Sequence, residues 1–592
     1  MTSPEKSTTF PVHYRWLALG IVVALGYLFG LGGDHIPRGG DELVYAHIAR
    51  LTAATGHWLP LVSSYDFMRN TKPPLLFWQA MVAGGWGEHW SWFNLRLPGV
   101  LYTWATALMV GLLTWKIVGG NEGQAASINP TPSTDGLRRH AVTMGAIAAL
   151  VYLSFFTTYR YGRSYMTSGP ETFWLFGIFF ALAWSPARLL ASRWKLPLLA
   201  GVAVGIACLY KSFAMVAPLG FALALCYQTV GARQPPWKIF RPGIVVDGLK
   251  VAAACALALA IFGLWFALDP QPGEVWREFV VGENAGKFKS SPGYFKVAFS
   301  GGSGFLTILT GYFSNALFLL PITVGCAWAA WRSYRQKVPL SDAEKILWLW
   351  LFGLALVFML PNQRSTRYLI PAMPALAVLV ALYWQRIARF WFALTLLACA
   401  LGALAMGLIA YGALRAVHDT GLYSWAYWLF LAGLLAACVG GLIKREWTRP
   451  VAAVAGFAVL FALAWVTAPF NGELARFKAA SVARLQGQTV AVPSSFNGHF
   501  ERYEFIIPGA RVMPYFAEQP VDYTEVDALL QAHRYALVQR RIGQLPCTQC
   551  RIIDMRWDLR ARKGDRDGMM AAFTSPDTYF YAQEYLVEGL AP

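Results

Sequence analysis

Apolar and polar stretches alternate along this chain with a long period. Runs of about 20 residues with little charge, each able at 1.5 Å per residue to cross about 30 Å of hydrocarbon, fall at 14–33, 95–118, 141–157, 170–186, 195–210, 213–228, 247–268, 305–331, 344–360, 368–384, 390–413, 424–443 and 449–468. About thirteen such runs predict an α-helical polytopic membrane protein. Beyond residue 470 they stop. There NGELARFKAASVARLQG and EVDALLQAH read as helices, and TVAVPS and RYALVQRR as strands. This alternation predicts a transmembrane domain over 1–469, with a large first outside loop at 34–94, and a small α/β domain over 470–592.

The polar stretches carry the chemistry. Gly33 to Trp78 is a charged and aromatic segment of roughly 45 residues, a length at which loops usually have a function. In it, Asp41 and Glu42 precede LVYAHIARLTAATG, which has helical spacing and predicts a helix lying flat at the membrane interface. Both acids then sit where the helix dipole favours negative charge. Asp41 as a mere N-cap would explain one acid but not its neighbour. Lys72 is fixed by Pro73 and Pro74, either to meet a phosphate or to snorkel to lipid headgroups. Further along come Arg160, Arg163 and Glu171 at the start of a span, Lys211 between two apolar segments, Glu283, Asn284 and Lys287 in a third loop, and Arg364 and Arg367 in a fourth. An ionisable residue such as Lys211 is costly there and marks a functional candidate. Interfacial anchoring is the plainer reading of Arg364 and Arg367.

Composition agrees with the pattern: 56% of residues are hydrophobic and 14% charged, and mean hydropathy is +0.42, too apolar for a soluble protein. The net charge of +18 suggests nucleic acid only until it is placed. With the N-terminus inside, every inside loop is basic, from Lys116, Arg138 and Arg139 through Arg332, Arg335, Lys337 and Lys345 to Lys444, Arg445 and Arg449. Topology therefore explains the excess, with the C-terminal domain outside. The first helix has no small-residue cleavage site and reads as a retained anchor. Six cysteines are isolated in apolar runs, while Cys547 and Cys550 form a CxxC in the outside tail. An oxidising compartment favours a disulfide there, and a zinc site would need a second pair.

On this topology Asp41, Glu42, Lys72, Arg160, Arg163, Glu283, Arg364 and Arg367 share the outside face, with Lys211 at a short outside turn. Carboxylates within a ring of cations, open to the bilayer and walled by aromatics, suit a reaction on a phosphate-bearing lipid.

At these residues the chain resembles a family. RGGDELVYAHIA and NTKPPLLFW are similar to the RxDExxYA and EKPPLxYW signatures of GT-C type glycosyltransferases, which include protein O-mannosyltransferases and the bacterial lipid A aminoarabinose transferases. LYKS, FVVGENAGKF and NQRSTRYLIPAMP resemble later family segments, and the layout favours the aminoarabinose branch. The resemblance implies transfer of a sugar, 4-amino-4-deoxy-L-arabinose or a relative, from a polyprenyl-phosphate carrier to a periplasmic acceptor such as lipid A. It implies the bacterial inner membrane, an inverting displacement and no nucleotide sugar. By motif position Asp41 is the catalytic carboxylate and Glu42 its neighbour. Lys72, Arg364 and Arg367 are phosphate contacts, Glu283 and Lys287 belong to a closing loop, and Arg38, Tyr45, Arg160, Arg163, Glu171, Lys211 and Tyr368 complete the substrate site. A divalent metal is left open. The chain departs from the pattern at Thr71 and Ser168, where the family usually has acids, and at Arg364, where it has lysine. Glu171 is a nearby substitute for the second missing acid.

Two other classes compete with a transferase. A lipid-linked sugar flippase predicts inverted repeats and acids at mid-membrane, neither of which the sequence displays. An anchored binding or assembly protein leaves the Asp41–Glu42 loop without a purpose.

Overall fold

In the computed structural model, helices follow the apolar runs. The structure describes residues 12–590 apart from 38–39, 66–68, 127–133, 236–241, 289–292, 301–302, 495–498, 518–521 and 561–569. Arg38 lies outside the described residues. Seven helices among them are long and apolar enough to cross a membrane: Trp92–Gly120, Phe213–Gly231, Ile244–Leu268, Gly311–Arg335, Arg389–Val417, Trp425–Ile443 and Arg445–Val466. The pair Gly136–Ser154 and Phe156–Arg163, bent by 68°, makes an eighth.

The remaining five expected spans are shorter helices; one is Asp342–Phe358, and each of the other four has a local cause. Leu28 to Gly33 unwinds into turns, so α1 is only Val12–Gly26. Ser168–Trp184 begins beside Pro170, which fits a helix start but not its interior. Pro371 lies in a 3₁₀ segment, Thr366–Ala372, that leads into Met373–Leu382. Lys195–Tyr210 stops where Lys211 and Ser212 leave helical geometry.

The helix α2, Asp41–Ala54, starts at the predicted acids and is largely packed inside the protein. All its residues except Asp41, Arg50, Leu51 and Ala54 are buried. It is wedged against α3, Leu75–Ala83, on one side and against residues 499–501 on another. α4, Trp92–Ala126, and α5, Thr134–Ser154, run side by side, and Gly111 and Gly145 face each other across them. An added Cβ at Gly145 would come within 2.7 Å of the Gly111 carbonyl. This contact depends on two residues without side chains.

Among the described residues, Thr489–Ser494 (β1), Arg511–Phe516 (β2), Tyr535–Arg540 (β3), Cys550–Leu559 (β4) and Tyr581–Gly589 (β5) form a five-stranded mixed sheet in the order β2-β1-β3-β5-β4. β1 pairs in parallel with β2 and β3. β5 runs antiparallel to β3 and to β4. Helix Tyr523–Ala532 crosses from β2 to β3 and opens on a capping box of Asp522 and Glu525. Alternate residues pack opposite faces: Val490, Val492 and Leu537 against Leu485, Tyr503 and Ile507, and Ala491, Ala536 and Val538 against Val526 and Leu530.

Besides its own two clusters, the sheet reaches the helix core through Trp557 and Tyr581. The Tyr581 ring stacks on Phe470 at 4.6 Å, and its hydroxyl donates to the Ile409 carbonyl at 2.9 Å. Below the sheet a buried ionic cluster joins Arg556 to Glu584 (2.5 Å) and Asp558 (3.3 Å), and Arg502 to Asp558 (2.8 Å). Burial alone would raise the Asp558 carboxyl. The Arg502 and Arg556 guanidiniums, with His35, hold it well below the usual carboxylate range.

Candidate active site

Asp41 is the first residue of α2. Gly40 takes the cap position, so capping does not occupy the Asp41 carboxylate. One Asp41 oxygen accepts from Nη1 and Nη2 of Arg367, at 3.1 Å each. Arg367 is set by the 3₁₀ segment, whose Ser365 hydroxyl accepts from the Arg367 N–H, and its guanidinium lies over the Tyr161 ring at 5.0 Å. Tyr45, one helical turn beyond Asp41, presents its ring 5.9 Å from the Lys72 ammonium.

Lys72 reaches Glu283 at 3.0 Å, and Lys287, one turn further along the same loop, reaches it at 3.1 Å. Burial would raise the Glu283 carboxyl, but Lys72 and Lys287 outweigh it and hold the group below its ordinary range. The loop is a wide helical turn, Trp276–Asn284, followed by a 3₁₀ turn, Ala285–Phe288. Wide turns of this kind are frequent at functional sites. It is fastened at several points. Arg69 pairs with Glu274, and Asn70 donates to Glu278 through its backbone (3.2 Å) and side chain (3.0 Å). Ser212 donates to Asn284 at 2.7 Å. The N–H groups of Asn362 and Gln363 donate to the Lys287 carbonyl.

These parts enclose a cavity of about 680 Å³. Asp41, Tyr45, Lys72, Lys211, Glu283, Lys287, Arg367 and Tyr368 line it, with Phe213, Met215, Val357, Phe358 and Leu360 forming an apolar side. With Asn284, which also lines it, nine residues singled out in the sequence are therefore brought together. Lys211 lies 2.7 Å from Glu171, which is fully buried behind it. Glu171, three residues beyond Ser168, is thus the acid that meets this lysine.

Other expected site residues are placed elsewhere, for identifiable reasons. Glu42 is fully buried and turned from the cavity. It is held in a two-pronged ion pair by Arg96 (2.9 and 3.0 Å) and accepts from the Tyr165 N–H at 2.7 Å. Arg163 donates to the carbonyls of Tyr27 and Phe29 where α1 unwinds. Arg364 donates to the carbonyls of Met359 (2.7 Å) and Ser303 (3.1 Å) beneath the Phe305 ring. Arg160 lies over Phe156 and Tyr161 and is not part of the lining. For Arg163 and Arg364, backbone carbonyls take guanidinium bonds that the resemblance assigned to substrate, at Arg364 to a phosphate.

Sequence reasoning passed over Arg96, Arg69, Ser212 and Gln363. Arg96 had a signal, a lone cation at the start of an apolar run. The others are ordinary loop residues until the chain folds. No group of three or more His, Cys, Asp or Glu able to hold a metal ion occurs among the described residues. Among the described residues, the two carboxylates lining the cavity, Asp41 and Glu283, are engaged by cations. Where the chain enters β4, Cys547 and Cys550 have Cα atoms 5.9 Å apart, a separation that a disulfide spans.

No family model matches the chain. Its sequence is similar to curated undecaprenyl phosphate-alpha-4-amino-4-deoxy-L-arabinose arabinosyl transferases. One from Edwardsiella ictaluri is 25% identical over 63% of this chain, and one from Sodalis glossinidius is 26% identical over 63%. The matched region spans about three fifths of those relatives, 60% and 59% of their lengths. Among solved structures, ArnT from Cupriavidus metallidurans bound to undecaprenyl phosphate superposes with a TM-score of 0.58 at 17% identity, over 96% of this chain and 98% of that one. The apo form of the same enzyme gives 0.53 at 16% identity. The chain thus has the fold of ArnT over nearly its whole length, with sequence similarity to the aminoarabinose transferases across the larger part of it.

Proposed function

We propose that this protein is an integral membrane glycosyltransferase that moves a sugar from undecaprenyl phosphate, or a related polyprenyl phosphate, to a periplasmic acceptor such as lipid A. The sugar is 4-amino-4-deoxy-L-arabinose or a close relative. The observation that carries this reading is the cavity in which Asp41 is ringed by Lys72, Lys211, Lys287 and Arg367 beside an apolar wall. The relatives named above, and the undecaprenyl phosphate in the ArnT structure, are what such a cavity would serve.

In this reading the lipid tail follows the apolar side, and the cations bind the phosphate. The acceptor oxygen attacks the anomeric carbon, the bond from that carbon to the phosphate oxygen breaks, and polyprenyl phosphate leaves with the electron pair, stabilised by the same cations. With a hydroxyl acceptor Asp41 takes the proton. With a phosphate acceptor, which brings no proton to remove, Asp41 orients Arg367. The loop 276–288 closes over the donor and excludes water. Glu42 and Arg96 hold α2 in register, and Glu171 orients Lys211.

The proposed topology is multi-pass in the bacterial inner membrane, with thirteen passes, the N-terminus cytoplasmic and the 470–592 domain periplasmic. Its supports are the basic inside loops, the helices that follow the expected runs, seven of them long and apolar enough to cross a membrane, and the outside position required for a lipid-linked donor.

The test uses purified protein in lipid with a synthetic polyprenyl-phosphate sugar. Release of polyprenyl phosphate by wild type, and not by Asp41→Asn, is the expected result. Equal release by both would overturn the role given to Asp41.

A further inference from the structure

The sheet unit grips the Asp41 segment on both flanks. On the downstream flank, the Glu501 carboxylate is fully buried and receives three charge-assisted bonds from α2: Arg50 Nε at 2.6 Å, Arg50 Nη2 at 2.9 Å and His47 Nδ1 at 3.0 Å. The Ser64 N–H donates to His47 Nε2 at 3.1 Å, so Nδ1 carries the proton that His47 shares with Glu501. Arg50 also reaches Glu504 at 3.1 Å. On the upstream flank, Asp34 pairs with Arg502 at 3.1 Å and His35 with Asp558 at 3.1 Å. The His35 backbone exchanges two hydrogen bonds with the Asn471 side chain, at 2.7 and 3.1 Å. Gly33 packs so closely on Asn471 that an added Cβ would collide with it. Asp41 lies between these two grips, and neither one touches the cavity lining.

A carboxylate at the first turn of a helix takes its direction from the helix axis. A misplacement of about 1 Å at a reacting group costs on the order of a hundredfold in rate. Three bonds converging on one buried anion resist rotation of α2 better than apolar contact, because each fixes a direction as well as a distance. Glu501 is also in the wrong place for chemistry: it is buried on the side of α2 that faces the sheet.

We propose that Glu501 is a positioning residue for Asp41, through which the sheet unit sets the orientation of α2 and so makes turnover depend on that unit. The proposal rests on the transferase reading above. It gives the C-terminal unit a role in catalysis that requires no ligand of its own.

The test compares Glu501→Gln, Glu501→Asp and the milder Arg50→Gln with wild type in the full-length protein in lipid. Glu501→Gln is expected to lower kcat by about tenfold to a hundredfold while KM for the donor and binding of undecaprenyl phosphate stay within about twofold. Glu501→Asp restores part of the rate, and Arg50→Gln shows a smaller loss of the same kind. Hydrogen exchange, which needs no turnover, should quicken across residues 41–54 in Glu501→Gln and not across Trp92–Gly120. Arg534→Gln, which removes a cation on the same unit away from α2, should leave kcat unchanged. Unchanged exchange at 41–54, or a kcat that falls only in step with the amount of folded protein, would overturn the proposal. An inactive wild type would overturn the transferase reading instead, a result distinct from either.

Discussion

Arg367 holds Asp41 with two guanidinium nitrogens at 3.1 Å across 326 residues of sequence. The pair is half-exposed to the cavity, so it is a poised contact more than a stabilising one. Bringing a phosphate to Arg367 would free the Asp41 carboxylate for the acceptor. Arg367→Lys keeps the charge but not the fork. It should lower kcat/KM by about tenfold or more while leaving thermal stability within about 0.5 kcal/mol. Steady-state kinetics and a melting curve in detergent check both halves.

Closure of the 276–288 loop should be pH-dependent through Glu283. Its carboxyl is held below the ordinary range by Lys72 and Lys287. The stabilisation is therefore full above the unfolded carboxylate value of about 4.3 and is lost as pH falls through the lower folded value. Protection of the loop's amides, taken relative to their intrinsic exchange rate at each pH, should be flat from neutral pH down to about 5 and fall only in stronger acid. Glu283→Gln should exchange quickly at every pH.

The Glu42–Arg96 pair is fully buried, and removing one partner strands the other's charge. Arg96→Met should cost about 3–5 kcal/mol of stability. Glu42→Gln should lose less, because its amide still accepts from the Tyr165 N–H. A large loss of activity in Glu42→Gln at full stability would return Glu42 to the chemistry.

The sheet unit seats on the Arg389–Val417 helix at Gly412, where an added Cβ would stand 2.9 Å from the Pro576 carbonyl. Gly412→Val should cost about 1–3 kcal/mol by overpacking and expose residues 570–580 to protease. Cys547 and Cys550 should appear as one linked species in mass spectra of non-reduced peptides, and free thiols would refute the disulfide.

Apolar runs and turn residues made the helical membrane architecture legible, because a span must satisfy its backbone internally and shows as an unbroken run. The strands Thr489–Ser494 and Tyr535–Arg540 were legible for a similar reason, being short, largely apolar at their centres and buried on both faces. β4 was not: Asp554, Arg556 and Asp558 alternate in it as buried charges, so a core strand reads as a polar surface. In the site, Asp41, Lys72, Lys211, Glu283, Lys287 and Arg367 could be picked out as charges in apolar company. What the sequence does not show is which of them find partners inside the protein. Arg163 and Arg364 are as cationic as Arg367, yet their guanidiniums go to carbonyls freed where a helix unwinds or ends. Those carbonyls exist only once the chain is folded.

The central claim is that Asp41 turns over a lipid-linked sugar at this cavity. The most direct measurement is a mass-spectrometric comparison of envelope glycolipids from cells lacking the protein and complemented with wild type or Asp41→Asn. The account predicts one sugar modification that disappears without the protein and returns with wild type alone. Restoration by Asp41→Asn, or unchanged acceptors with lipid-linked sugar accumulating on the cytoplasmic side, would contradict it.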